Sequence, residues 1–309
     1  MKKIILLIII GIIVIIGSVS SVLVIKHINY TKTYEYKFTK IGYSKEEVKL
    51  LEKKLKNKEL DTLLNRKYNK NITKFIKEKY FIFNNLDEYL KYLKDNKDKN
   101  LTDVIAIVNT NSNNEFYSNT KKTDISKNEL MLVNKYNYLT SDYNPDDLEE
   151  LSNVYAYGTN QMLRHDAYNA FIEMWNKASE DGYKLIVNSS YRSYEEQEKI
   201  YNDYSSWYGD NDADKKAARP GYSEHQTGLA LDIQSYCSEE KKFDECPEFT
   251  WLSNNAYKYG FIIRYPKDLE HITGYNYESW HYRYVGKKAS TYIHDNNITF
   301  DEYYAYFVK

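Results

Sequence analysis

The chain has 309 residues, enough for one large domain or two modest ones. Its 43 Lys and Arg against 44 Asp and Glu leave a formal net charge of -1, without the basic excess that draws a protein to nucleic acid. Four Pro and eleven Gly exclude a collagen-like or Pro/Gly-rich disordered chain, and two Cys exclude both a disulfide-dense miniprotein and a multi-thiolate metal site.

At the N-terminus, Met1-Lys2-Lys3 leads into an uncharged run from Ile4 to Ile25. As a helix rising about 1.5 Å per residue, that run covers a bilayer core of about 30 Å. It predicts a transmembrane anchor over 1–26, with Lys2 and Lys3 cytoplasmic and the rest of the chain outside a bacterial cell membrane. The other reading is a cleaved signal segment, with Ile4 to Ile16 as its apolar part and Gly17 to Ser21 as a small-residue exit. Val22-Leu23-Val24-Ile25 prolongs the run and favours the anchor. Both readings export the remainder of the chain, and in an oxidising compartment Cys237 and Cys246 are expected to close a short disulfide loop.

Residues 30–125 read as a helical or mixed spacer, rich in Lys and Asn. Ser44 with Glu47 forms a capping box ahead of Val48, Leu51 and Leu55 at helical spacing. Ile72, Phe75 and Ile76 mark a second helix, and Leu86, Tyr89, Leu90 and Leu93 a third. Val104-Ile105-Ala106-Ile107-Val108 reads as a short apolar strand, with a polar loop from Asn111 to Asn128. A boundary near 125–130 would open a second domain, 130–309.

In that domain Ala167, Phe171, Met174, Trp175 and Ala178 give an amphipathic helix that Gly182 stops. Tyr183 to Val187 is a predicted strand, and Ser193 with Glu196 caps the next helix. Leu229, Leu231 and Ile233 alternate with Ala230 and Asp232 as a half-buried strand, and 261–265 and 280–285 are two more. Strands and helices do not alternate as βαβ units. The predicted fold class is therefore α+β, with a small, mainly antiparallel sheet flanked by helices.

Three segments gather polar residues that a core does not need: Ser189 to Ser193, Pro220 to Ile233, and Glu278 to Gly286. Asp232 points off the core face of its strand, and Gly228 lets His225 turn toward the same side. Should the strand holding His281 pair nearby, two imidazoles and one carboxylate converge. Three protein ligands with a fourth position open is the layout of a catalytic zinc site. Glu278, three residues before His281, could then take a proton from the attacking water. Spacing alone leaves this a suggestion. His165, His271 and His294 read as solvated or structural, and Trp280 as a core residue.

Ser-Glu-His-Gln-Thr-Gly-Leu-Ala-Leu-Asp (223–232) and Glu-Ser-Trp-His-Tyr-Arg-Tyr-Val (278–285) closely resemble the S-x-H-x-x-G-x-A-x-D and E-x-W-H motifs of the zinc D-alanyl-D-alanine carboxypeptidases, the VanY-like family. The wider fold group of that family includes lysostaphin-type peptidases and the hedgehog signalling domain. Tyr191-Arg192-Ser193, Gln197 and Leu132-Val133-Asn134-Lys135 extend the resemblance over roughly 130–286. It implies that His225, Asp232 and His281 bind Zn²⁺ and that Glu278 is the base, later the acid that protonates the leaving amine. It also implies that Arg192 steadies the substrate carbonyl and the oxyanion forming on it, and that Ser223 and Gln197 touch substrate. The implied reaction is release of the terminal D-alanine from a peptidoglycan stem peptide. An L,D-carboxypeptidase acting on tetrapeptide stems fits the same motifs. A non-catalytic zinc module that binds wall or a partner fits them less well, because Glu278 is present.

Overall fold

A computed structural model describes the backbone of residues 2–309 and the side chains of all of these except 2–10 and 12–17. The chain divides into two compact units, one ending at Ile105 and the other running from Ala106 to Lys309.

The first unit is helical: α1 (Lys2–Thr31), α2 (Tyr34–Lys40), α3 (Lys45–Lys54), α4 (Asn57–Leu64), α5 (Lys70–Lys77) and α6 (Leu86–Asp95). Among the described residues no helix is long and apolar enough to cross a membrane, and most of the apolar run predicted to do so has its side chains outside those residues. Ser44 and Glu47 make the predicted capping box at the start of α3, each side chain bonded to the other's backbone N–H. Phe38, Val48, Leu51, Leu60, Leu63, Ile72 and Ile76 are among the buried residues of one apolar cluster.

Residues 104–108 are not a strand. They lie within α7 (Leu101–Thr110), the helix that contains the division between the units. Asn100 opens it by accepting the Asp103 N–H at 2.8 Å. Val104 to Val108 are all buried, so the helix has no polar face to betray its period. An unbroken apolar run of that length looks the same whether helix or strand.

The second unit begins with two small pairings. β1 (Lys121–Lys122) runs parallel to β2 (Asn137–Tyr138), and β3 (Leu148–Glu150) antiparallel to β4 (Met162–Arg164). Then come α8 (His165–Glu180), β5 (Ile186–Ser189), α9 (Tyr194–Tyr208), α10 (Asp210–Lys216), β6 (Ala230–Gln234), α11 (Pro247–Asn255), β7 (Phe261–Ile263), α12 (Glu270–Thr273) and β8 (His281–Tyr284). Two C-terminal helices that the sequence left unread, α13 (Gly286–Asn296) and α14 (Phe300–Phe307), close the unit.

β5, β6, β8 and β7 form the main sheet in that order, every neighbour antiparallel. Its two faces differ because side chains alternate along each strand. Leu231, Ile233 and Tyr282 point to one side and join Ala167, Phe171, Met174 and Ala178 of α8 in the largest buried cluster. Burying a side chain of the Phe or Met class stabilises the fold by about 1.5–3 kcal/mol, so this face dominates the packing of the unit. The opposite face receives Asp232, His281 and Arg283. A disulfide joins Cys237 and Cys246, the Cα atoms 5.9 Å apart, as the export reading expects.

Candidate active site

Asp232 on β6 and His281 on β8 are direct cross-strand partners, so their side chains rise from the same face of the sheet. His225 arrives from a short 3-10 turn, Glu224–Thr227, just before β6. Ser223 starts that turn by accepting the His225 N–H at 3.3 Å. Gly228 ends it at φ 68°, where a Cβ would meet Arg164 Cγ and Leu148 Cδ2 at 2.9 Å. The chain can turn from His225 into β6 there only because that residue has no side chain.

One ligand atom from each of His225, Asp232 and His281 can be chosen so that all lie within 4.8 Å of one another. Nδ1 of His225 sits 2.6 Å from the Ser190 carbonyl, which makes it the donor and leaves Nε2 toward Asp232 Oδ1 at 3.5 Å. His281 presents Nδ1 to the same oxygen at 3.1 Å. That oxygen is buried and has no hydrogen-bond partner. An orphaned carboxylate oxygen between two imidazoles, with no third side-chain nitrogen to complete the set, fits a divalent zinc ion with a coordination position left open.

The titration directions agree. Burial raises Asp232, but His225 and His281 overcome it and hold the carboxyl well below its usual range. Burial, reinforced by Arg192, pushes His225 down to about 4 and so keeps its imidazole neutral. For His281 burial also lowers the value, but Asp232 and Glu224 outweigh it and raise the ring to about 9. The carboxylates of Asp232 and Glu224 thus favour positive charge around His281, where a cation would sit.

Glu278 stands beside this cluster, Oε2 3.7 Å from His281 Nδ1, with its backbone N–H on the Tyr265 carbonyl at 3.1 Å. Burial pushes its carboxyl up to about 7, against the pull of His281 and with help from Asp232, which suits a group that must both take and return a proton near neutral pH. Arg192 lies between β5 and the capping box of α9. Its Nη1 donates to Gln197 Oε1 at 2.7 Å, and Gln197 Nε2 donates to the Ala218 carbonyl at 2.7 Å. Gln197 is therefore engaged in holding the guanidinium, whereas the Nε of Arg192 is buried without a partner. All seven predicted residues, Arg192, Gln197, Ser223, His225, Asp232, Glu278 and His281, line one cleft of about 290 Å³. Tyr265, Tyr275 and Lys216 also stand in its wall. Trp280 corrects the sequence reading: it is 40% exposed at the mouth of the cleft, because it lies just before β8 and beyond the edge of the apolar face. His165, His271 and His294 are exposed and outside the cleft.

A family model described as D-alanyl-D-alanine carboxypeptidase (VanY) matches residues 160–287. The putative carboxypeptidase YodJ of Bacillus subtilis (strain 168) is 41% identical over 202 residues, 62% of this chain and 74% of the relative. A D-alanyl-D-alanine carboxypeptidase of Enterococcus faecium is 33% identical over 218 residues, 68% of each chain. The chain belongs to the VanY family of D-alanyl-D-alanine carboxypeptidases. It is thus a carboxypeptidase, a hydrolase, and zinc is the metal that its His-Asp-His cluster is built to hold. Among solved structures, the LdcB LD-carboxypeptidase aligns with a TM-score of 0.57 at 41% identity, covering 61% of this chain and 91% of that one. A Zn(II) complex of the vancomycin-resistance D,D-pentapeptidase VanY aligns with a TM-score of 0.50 at 35% identity, covering 57% and 98%.

Behind the cluster lies a buried polar network that the motifs contained but the sequence reading did not use. Glu224 Oε1 accepts from Arg264 Nε and from Arg283 Nη1, both at 2.8 Å. Arg264 Nη1 continues to Asp301 at 2.5 Å, and Asp301 to Asn134 Nδ2 at 2.7 Å. Arg283 Nη2 donates to the carbonyls of Glu129 and Met131 at 3.0 and 2.8 Å. The signal for Arg283 was available: two residues after His281 on the same strand, it must share that face. Asp301 carried no such signal, because it comes from a helix with no motif.

Proposed function

We propose that this chain is an exported zinc carboxypeptidase that removes the terminal D-alanine from peptidoglycan stem peptides. The observation that carries it is one cleft holding the His225–Asp232–His281 cluster, the Glu278 carboxylate beside it and a cationic Arg192. Zinc, when held by the three side chains, supplies a Lewis acid for the scissile carbonyl and lowers the pKa of water. Glu278 takes the proton of the attacking water and returns it to the leaving amine. Arg192, braced by Gln197, offers planar donors to the carbonyl oxygen as negative charge develops there. The disulfide supports an extracytoplasmic setting, and the apolar run at 4–25 supports delivery there as an anchor or a cleaved signal.

The second reading, removal of the last residue from a tetrapeptide stem, is favoured by the likeness to LdcB, described as an LD-carboxypeptidase. Digesting defined muropeptides with the zinc-loaded chain separates the two by mass. Pentapeptide should become tetrapeptide, whereas tetrapeptide becoming tripeptide would establish the L,D activity. Glu278→Gln should keep its zinc and lose about 10²–10⁴-fold in kcat. Undiminished turnover by that variant would remove Glu278 from the reaction.

A further inference from the structure

Glu224 is fully buried, and its two oxygens are in unlike positions. Oε1 takes both guanidiniums, Arg264 and Arg283. Oε2 has no hydrogen-bond partner. Neutralising two buried arginines would not need it, and a buried carboxylate oxygen left idle is destabilising. Facing it is Nε2 of His281, 3.7 Å away, likewise buried and without a hydrogen-bond partner. The other nitrogen of that ring, Nδ1, faces Asp232 and Glu278 in the cleft.

We propose that Glu224, locked by Arg264 and Arg283, is a positioning residue that keeps the proton of His281 on Nε2, so that Nδ1 presents its lone pair to the zinc. This rests on the zinc carboxypeptidase reading. With Asp232, itself a metal ligand, on the Nδ1 side, Nδ1 is the nitrogen given to the zinc and Nε2 must carry the hydrogen, and the Glu224 carboxylate that faces Nε2 can only accept it. His225 is fixed in the opposite sense: its Nδ1 donates to the Ser190 carbonyl, and Nε2 is left for the metal. The two metal-ligating histidines are thus held as different tautomers, one by a backbone carbonyl and one by an anion. The anion is itself aimed by two guanidiniums, Arg264 just beyond β7 and Arg283 on β8, on which His281 also sits.

Glu224→Gln tests this in the full-length chain. Glutamine keeps the shape and an oxygen for the guanidiniums, but turns an amide NH₂ toward His281 and drives the ring proton onto Nδ1. Zinc affinity, read by chelator competition, should fall about 10–100-fold, and the visible spectrum of the Co²⁺-loaded variant should change. Asp301→Asn is the control, because it removes the same charge from the same network without touching Glu224 or His281. It should lower the melting temperature and leave zinc affinity as in the parent. A folded Glu224→Gln protein with parental zinc affinity, or equal losses in both variants, would overturn the proposal. Long-range ¹H–¹⁵N NMR of the zinc-loaded parent, labelled at histidine, decides independently of whether Glu224→Gln folds. One metal-bound ring should coordinate through Nδ1 and the other through Nε2; two rings bound through Nε2 would overturn it. A parent chain that binds no zinc at all would instead refute the functional reading on which it rests.

Discussion

Lys135 is buried with no described carboxylate at ion-pairing distance. Its ammonium lies 3.6 Å from the centroid of the Tyr275 ring and 4.7 Å from that of Phe116, and it donates to the Asp214 carbonyl. Burial pushes it from its ordinary 10.5 to about 7, with Asp214 pulling the other way. Proton counting gives the sign of the resulting pH dependence. Between pH 7 and 10.5 the unfolded chain holds this proton and the folded chain has released it, so the unfolded state binds more protons and the folded state gains stability as pH rises. Below pH 7 both states hold the proton, and the dependence vanishes. Urea unfolding of the parent and of Lys135→Met across pH 7 to 10 isolates this group from the other titrating side chains. The parent's stability relative to the variant should climb by up to about 1.4 kcal/mol per pH unit. A difference that stays flat would mean that the aromatic faces hold the ammonium charged throughout.

At the scale of elements, the join between the Glu224–Thr227 turn and β6 decides where His225 points. Gly228→Ala should place a methyl 2.9 Å from both Arg164 and Leu148 and force an L-residue to φ 68°. The left-handed conformation alone costs about 1–2 kcal/mol, and the overlap adds to it. We expect a melting temperature lower by several degrees, about 2–4 °C per kcal/mol for a unit of this size, together with weakened zinc binding. Parental zinc affinity in a merely less stable variant would show that the turn tolerates the displacement. This join was legible in sequence because a glycine stood between a histidine and an alternating strand. Ser44, Ser193 and Gly182 were legible for a similar reason, since each acts through neighbours within a few residues. α7 was not, because burial on every side erased its period. The pairing of β6 with β8 was only conditional in the sequence, since about fifty residues separate them and no local rule fixes that register. The motifs nevertheless named the ligands, because zinc chemistry restricts which residues can stand there. Gln197 was found but its task was not, since only the folded chain shows it turned toward Arg192.

For the molecule as a whole, the unit from Ala106 to Lys309 contains the sheet, its own buried cluster and all seven site residues. The sequence reading puts a boundary near 125–130, where the polar stretch from Asn111 to Asn128 ends, whereas the compact unit starts at Ala106 and the contacts of 114–123 belong to it. The Tyr117 N–H donates to the Lys135 carbonyl, and Asn114 accepts from the Tyr136 hydroxyl. The Tyr117 ring faces Arg219, and Thr123 Oγ1 donates to the Leu132 carbonyl. These contacts brace the segment around Lys135 and, through Arg219, the chain that leads into the cleft. A fragment spanning 100–309 retains them all and keeps Asn100 to open α7. It should melt cooperatively, bind equimolar zinc and match the kcat/KM of the full chain on a soluble stem peptide. A fragment spanning 130–309 keeps every site residue but strips those braces. It should lose stability by several kcal/mol, with a fall in kcat/KM to match. Equal behaviour of the two fragments would show that 100–129 is dispensable to the site, and an unfolded 100–309 fragment would show that the second unit does not stand alone.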